Sequence, residues 1–352
     1  MRLAIATDAW APQVNGVVRT LTETISRLKA QGHEVEVVAP DRFMTIPCPG
    51  YSEIRLALAP RFGVRKALGT FRPDIVHIST EGPIGWSARA WCLKHNVPFT
   101  TAFHTRFPEY VAARTRLSPD FIWPIMRTFH KGSRAILTAT QSLRDELESR
   151  GIHPTQIWSR GIDHAVFHPD QPVHESLQHL AKPILLSVGR VAVEKNLEAF
   201  LDADVTGTKV IVGDGPARAH LQALNPDAIF LGTRHGAELA SIYASADVFV
   251  FPSKTDTFGL VMLEALACGV PVAGYPVQGP LDIIGAEGRG AHGNLDEAVG
   301  CLKPDLAEAI KGALSLSRAH AAKYGAQFCW NSCTNQFVNG ITKASNSEAL
   351  AA

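Results

Sequence analysis

Short apolar runs alternate with longer amphipathic stretches along most of the chain, the spacing of strands separated by helices. Leu3–Thr7 reads as a strand, followed by a turn with Pro12 and Asn15-Gly16 and a helix that a C-terminal cap at Gly32 closes. Glu34–Ala39 is the next strand. Strands are expected at 74–78, 98–101 and 135–138, with helices at 85–95, 107–131 and 142–150. Ser142 with Asp145 resembles a capping box, and Gly151 ends that helix. The polar, proline-bearing segment 160–182 reads as an interdomain linker. The pattern then restarts, with strands at 184–188, 209–212, 228–231 and 247–251 and helices at 196–203, 217–224, 236–244 and 260–268. Strand–helix alternation of this kind predicts α/β architecture with two successive doubly wound parallel sheets.

A length of 352 residues suits two domains, and 46% hydrophobic with 19% charged residues is a globular balance. The net charge of +1 argues against a nucleic-acid binder that relies on bulk positive charge. That balance hides an asymmetry: residues 1–165 carry 21 Lys/Arg against 14 Asp/Glu, and the remainder 13 against 19. The first apolar run is too short for a signal peptide, no stretch is long and apolar enough for a membrane-spanning helix, and the six cysteines form no CxxC pair. Such scattered cysteines read as reduced thiols of a cytosolic protein.

In open α/β sheets ligands bind beyond the carboxyl ends of the strands, which selects the loops at 8–17, 79–85, 102–106, 189–196, 213–216 and 252–260. None contains GxGxxG, which disfavours a nicotinamide dehydrogenase. Gly213-Asp214-Gly215-Pro216 fits a tight turn whose proline starts a helix. Arg190 and Lys195 fit a pyrophosphate clamp and, about equally, a solvated pair with Glu194 as partner. The block Phe251–Ala265 carries more weight. Its loop holds Asp256 and Gly259, and Glu264 follows inside an apolar helix, where a carboxylate is costly without partners. Free N–H groups at that helix start suit a phosphate.

In this order, Pro12 with Asn15-Gly16, Phe103-His104-Thr105, Arg160-Gly161-Ile162-Asp163, Phe167-His168-Pro169, Gly189-Arg190 to Lys195, Gly213-Asp214-Gly215-Pro216, Phe230-Leu231-Gly232 and Phe258-Gly259-Leu260 to Glu264 resemble glycosyltransferase family 4 over nearly the whole chain. Thr80-Glu81-Gly82-Pro83 and Thr255–Gly259 look most like the bacterial α-mannosyltransferases and the glycolipid-forming enzymes of that family. The resemblance implies the GT-B fold: two facing Rossmann-like domains. Residues 1–165 would bind the acceptor and 166–325 the nucleotide sugar, with a helix at 326–342 returning to the first domain and a flexible tail at 343–352.

The implied activity is retaining, metal-independent hexosyl transfer from GDP-mannose or a UDP-hexose to a hydroxyl of a membrane lipid, such as a diacylglycerol or a sphingolipid. No cofactor is implied. Arg190, Lys195, His104 and Asp256 would be catalytic. Gly16, Gly189, Thr257, Phe258, Gly259, Leu260 and Glu264 would bind the donor, and Glu81, Arg106 and Tyr110 the acceptor. The first acid of the family's Glu-x7-Glu pair is here Asp256, one methylene shorter, and its common double glycine is reduced to Gly16. The basic N-terminal half, with Arg61-Phe62-Gly63-Val64-Arg65-Lys66 and Arg114 to Lys131, would place the enzyme peripherally on the anionic inner face of the cytoplasmic membrane. A sugar-nucleotide epimerase of the same fold, a transferase acting on a soluble sugar, and a non-catalytic nucleotide-sugar binder are the alternatives.

Overall fold

The computed structural model describes the chain apart from residues 14, 49–50, 105–107, 109–117, 257 and 347–352, and describes the backbone alone at 51–54 and 345–346. It divides into two compact units, Met1–Arg160 with Trp330–Ala352, and Gly161–Cys329. The division falls at Arg160 rather than at the expected 165, and the returning segment begins at Trp330 rather than at 326.

In the first unit the strands are β1 (Arg2–Ala6), β2 (Glu34–Val38), β3 (Thr45–Cys48), β4 (Tyr51–Ala57), β5 (Ile75–Ile78), β6 (Phe99–Phe103), β7 (Ile136–Thr138) and β8 (Thr155–Ile157). Six of them form one parallel sheet in the order β2-β1-β5-β6-β7-β8. Its helices are α1 (Gly16–Ala30), α2 (Arg61–Phe71), α3 (Pro83–His95), α4 (Trp123–His130) and α5 (Gln141–Ser149). Alternate residues of β1 serve opposite faces. Leu3 and Ile5 pack with Leu21, Ile25 and Leu28 of α1 and with Trp330, Phe337 and Ile341 of the C-terminal helix. Ala4 and Ala6 pack with Val64 and Leu68 of α2 and Ile84 and Ala88 of α3. Both faces are apolar, as a parallel sheet covered on two sides requires.

The second unit repeats the plan. Its strands are β9 (Ile184–Val188), β10 (Thr208–Val212), β11 (Ile229–Gly232), β12 (Val248–Phe251), β13 (Val272–Gly274) and β14 (Gly300–Leu302), in the order β11-β10-β9-β12-β13-β14. They alternate with α6 (Leu197–Leu201), α7 (Arg218–Leu224), α8 (Gly236–Ser245), α9 (Leu260–Ala267), α10 (Gln278–Ile284), α11 (Leu306–Ala313) and α12 (Arg318–Gly325). The last helix, α13 (Trp330–Asn346), belongs to the first unit. Each sheet therefore reverses its strand order once, between β1 and β5 and between β9 and β12. The crevice at such a reversal is where open α/β sheets bind ligands.

Three local expectations are revised and one pair of strands is added. Of the helix expected at 107–131, residues 107 and 109–117 lie outside the described residues, and the later part is a 3-10 turn at Pro119–Phe121 followed by a separate helix at Trp123–His130. Pro124 is tolerated only in a first helical turn, so the helix has to begin beside it. The cap of α5 is Thr140, whose hydroxyl accepts from the Leu143 N–H at 3.3 Å, rather than Ser142. The segment 160–182 is irregular, yet it buries Ile162, Phe167 and Leu177 and pairs Ile162 with Cys329, so it packs as part of the second unit. The antiparallel pair β3–β4, an addition to the doubly wound plan, was not anticipated.

Candidate active site

In the second unit, the loops after β9 and β12 meet at the strand-order reversal. Beyond β9 the chain passes through Gly189 and Arg190 to a 3-10 turn at Val193–Lys195. Asn196 is left-handed (φ 53°), and its carboxamide donates to the Pro252 carbonyl at 3.1 Å, tying this loop to the one after β12. The turn at Gly213–Gly215 is pressed against the same loop. A Cβ at Gly213 (φ 134°) would lie 1.9 Å from the Gly189 carbonyl oxygen, so only glycine fits there. The expected tight turn thus also braces the Gly189–Val191 backbone, with Val191 N–H donating to the Asp214 carbonyl at 2.9 Å.

Lys195 Nζ contacts both carboxylate oxygens of Asp256, at 2.7 and 2.8 Å. Arg190 pairs with Glu194, so the two cations are separately neutralised and all four side chains stay about a quarter to a third exposed. Burial raises the Glu194 carboxyl and its bonds to Arg190 lower it, with a net shift downward. Gly259 is left-handed (φ 89°) and opens α9. A Cβ there would lie 2.7 Å from Met262 Cε and 3.0 Å from Phe251 Cζ. Phe258 is buried just before it. The first turn of α9 begins at Leu260, with the Met262 N–H donating to the Gly259 carbonyl at 3.0 Å, and carries the positive end of the helix dipole. In the second turn Glu264 is 2% exposed and accepts a hydrogen bond from the Tyr243 hydroxyl of α8 at 2.9 Å.

In the first unit, Asp8 after β1 and Thr80 after β5 bridge the reversal. The Asp8 N–H donates to the Thr80 hydroxyl at 2.6 Å, and the Asp8 carboxylate accepts from the Ile84 and Gly85 N–H groups at 2.9 and 3.2 Å. Asp8 thereby caps α3. Burial pushes its pKa up, opposed by those hydrogen bonds. Glu81 stands beside it, its pKa pushed up to about 8 by burial and by the nearby Asp8 charge. His104, after β6, is buried and receives the Arg160 guanidinium on Nδ1 at 3.0 Å. Burial, with Arg160 and His77 nearby, drives the His104 pKa well down. The ring is therefore neutral. Because guanidinium can only donate, its proton sits on Nε2. Asn15 caps α1 by accepting from Val17 and Val18, and Gly16 is the first residue of that helix.

The structure thus brings Arg190, Lys195, Gly189, Asp256, Phe258, Gly259, Leu260 and Glu264 to one loop cluster. In the other unit Gly16 opens α1, and Glu81 and His104 lie on the loops after β5 and β6. Thr257, Arg106 and Tyr110 lie outside the described residues. Sequence reasoning missed Asp8, Tyr243, Arg160 as the partner of His104, and His130, described below. Asp8 could have been noticed as an acid directly after the first apolar strand; Tyr243, inside a helix, offers no such signal. Among the described residues no group of three or more His, Cys, Asp or Glu could hold a metal ion.

Comparison with known proteins agrees with this architecture. The chain superposes on sucrose-phosphate synthase from Thermosynechococcus elongatus with a TM-score of 0.71, covering 96% of this chain and 97% of that one at 20% identity. The fold is that of the GT-B glycosyltransferases. Residues 14–166 match Glycosyltransferase Family 4 and residues 182–315 match Glycosyl transferases group 1. The chain is 32% identical over 308 residues to the GDP-mannose-dependent alpha-mannosyltransferase of Mycobacterium tuberculosis, spanning 81% of each protein. It is also 27% identical over 320 residues to the alpha-monoglucosyldiacylglycerol synthase of Streptococcus pneumoniae, spanning 78% of this chain and 71% of that one. The chain belongs to glycosyltransferase family 4, and it is a hexosyltransferase.

Proposed function

We propose that the enzyme moves a hexose, with retention at the anomeric carbon and without a metal ion, from GDP-mannose or a UDP-hexose to a hydroxyl of a membrane lipid. The observation that carries this reading is the Lys195–Asp256 pair at the reversal of the second sheet, beside the opening of α9 and the buried Glu264. A diphosphate offers Lys195 a more highly charged partner than Asp256, which releases Asp256 to the hexose 3- or 4-hydroxyl. Arg190, Lys195 and the N–H groups of Phe258 and Gly259 then oppose the charge that develops as the bond to the leaving diphosphate breaks. Glu264, held by Tyr243, takes the ribose hydroxyls. Gly189 supplies the close backbone approach that its missing side chain permits, and Leu260 the first N–H of α9.

The acceptor is assigned to the N-terminal unit. The Nε2–H tautomer of His104 suits donation to a sugar or phosphate oxygen, and the Gly16 N–H at the start of α1 suits an anionic one. A lipid acceptor is favoured by the diacylglycerol named for the pneumococcal relative and by the surface around α2. There Phe62 is 79% and Met44 80% exposed, beside the exposed Arg61, Arg65 and Lys66. The second basic stretch contributes less than its sequence promised, since Trp123 and Phe129 are core residues and only Phe121 and Ile125 of its apolar set are strongly exposed. Among the described residues, no helix is long and apolar enough to cross a membrane. The enzyme is assigned to the cytoplasmic leaflet as a peripheral protein.

The test is incubation of purified protein with a panel of nucleotide sugars and lipid extract, with and without EDTA, followed by mass spectrometry and anomeric analysis of the products. An α-linked glycolipid, formed equally with chelator, is expected. Transfer to soluble sugars alone, epimerised donor, or activity that returns only with magnesium or manganese would each contradict it.

A further inference from the structure

A buried polar chain runs behind Glu81. His130, the last residue of α4, is 2% exposed, and its Nδ1 lies 2.8 Å from the Thr101 hydroxyl of β6. Thr101 Oγ1 lies 3.2 Å from the Ser133 hydroxyl, which lies 2.7 Å from the Ala135 carbonyl oxygen. With the Thr101–Ser133 contact taken as a hydrogen bond donated by Thr101, the protons of the chain are assigned. A carbonyl only accepts, so Ser133 donates to Ala135; Thr101 must then donate to Ser133, and the one hydrogen left to serve the Thr101 oxygen is the Nδ1–H of His130. Burial holds the His130 pKa down at about 3, so the ring is neutral and its Nε2 is a bare lone pair. That atom is buried without a hydrogen-bond partner, and 3.8 Å away stands Glu81 Oε1, also buried without one. The separation exceeds a formed hydrogen bond, and two unpartnered acceptors would not be buried face to face. One atom has to carry a proton, and the Thr101 chain denies it to the histidine.

We propose that Glu81 works as a neutral carboxylic acid whose proton is directed from Oε1 to His130 Nε2, so that its second oxygen is presented as an uncharged acceptor that orients the incoming hydroxyl. This rests on the glycosyl-transfer reading and refines the role of Glu81 within it. In that reaction the bond from the anomeric carbon to the diphosphate oxygen breaks, the bond to the acceptor oxygen forms, and the hydroxyl proton passes to the departing diphosphate. Glu81 takes no proton, because its outward oxygen is the carbonyl of an acid. His130 is a positioning residue that acts through Glu81. The other described charged groups around the pair are Asp8, whose charge raises the Glu81 pKa, and Arg89, whose charge lowers that of His130. Both oppose an ion pair. Glu81 keeps 13% side-chain exposure although Oε1 has none, so part of the side chain remains open to a ligand.

Two measurements test this. In protein labelled at the glutamate carboxyl carbon, with the Glu81 resonance assigned by its loss in E81Q, NMR titration of the wild type should show Glu81 protonated at neutral pH and ionising near 8. A Glu81 already ionised at pH 7 overturns the proposal whether or not the enzyme transfers hexose. In turnover, glutamine preserves a donor toward Nε2 and an outward carbonyl. E81Q should therefore exceed E81A by at least about tenfold in kcat/KM for the acceptor at pH 7. Its pH profile should lack the decline expected of the wild type above pH 8, where a carboxylate is set against the lone pair. An E81Q no better than E81A while still folded by circular dichroism, or an alkaline decline that E81Q keeps and that therefore does not arise from Glu81, overturns the proposal.

Discussion

The two sheet reversals use the same topology for opposite electrostatics. In the C-terminal unit the reversal carries full charges, Lys195 with Asp256 and Arg190 with Glu194, each partly exposed. Such partly exposed pairs contribute little to stability. In the N-terminal unit the loops after β1, β5 and β6 and the end of α4 hold buried groups kept uncharged or capped: neutral His104 and His130, a raised Glu81, and Asp8 under the start of α3. On the proposed reading the difference separates two tasks: exposed charge would serve the leaving diphosphate, and buried neutral hydrogen bonding would orient the acceptor hydroxyl.

The largest effect that would sharpen this contrast is on acid stability. His77 and His130 are each depressed to about 3 from an ordinary 6.5. Between those values the unfolded chain binds more protons than the folded one, so stability is lost as pH falls from 6.5 toward 3. Each tenfold change in proton affinity on folding is worth about 1.4 kcal/mol, so each histidine contributes up to several kcal/mol. Glu81, raised from 4.5 to about 8, acts in reverse and lowers stability as pH rises between those values. Denaturant unfolding from pH 3 to 9 should show stability climbing to about pH 6.5 and declining modestly toward 8. A profile flat below 6.5 would break the picture of a neutral N-terminal cluster.

Next comes Lys195→Ala. Loss of one preorganised charge at a transition state costs about a hundred- to a thousandfold in turnover, and the partly exposed ion pair leaves the melting temperature nearly unchanged. Unaltered turnover would remove Lys195 from the chemistry. The triple variant R61Q/R65Q/K66Q should weaken binding to anionic vesicles about hundredfold, at about 1 kcal/mol for each cation near the surface. Cosedimentation at low and high salt reads this, and wild-type indifference to anionic lipid contradicts a membrane role for α2. The smallest effect is that of Tyr243→Phe, which strips the hydroxyl from buried Glu264 and should cost about 1 kcal/mol in denaturant unfolding.

Much of this was legible before the structure. Each doubly wound sheet announces itself because its strands are short apolar runs between amphipathic helices, and Glu264 stood out as an acid inside an apolar helix. Gly259 and Lys195 were likewise marked by their place at strand ends. The pairing of Lys195 with Asp256 was hidden, since 61 residues separate them and only the adjacency of β9 and β12 joins their loops. His130 was invisible for a related reason: a histidine ending an amphipathic helix looks solvated until Thr101 of a neighbouring strand claims its Nδ1. The hairpin β3–β4 escaped because Pro47, Pro49 and Gly50 dilute the alternation in its sequence.

The central claim, that the charged reversal of the C-terminal unit holds the nucleotide sugar, is tested most directly by a crystal structure with a nucleoside diphosphate. The expected result is phosphate oxygens within hydrogen-bond distance of Lys195 Nζ and of the N–H groups at the Gly259–Leu260 opening, the ribose hydroxyls on Glu264, and the Lys195–Asp256 pair opened. A diphosphate bound elsewhere, with Lys195 still closed on Asp256 and no ribose hydroxyl on Glu264, would contradict it.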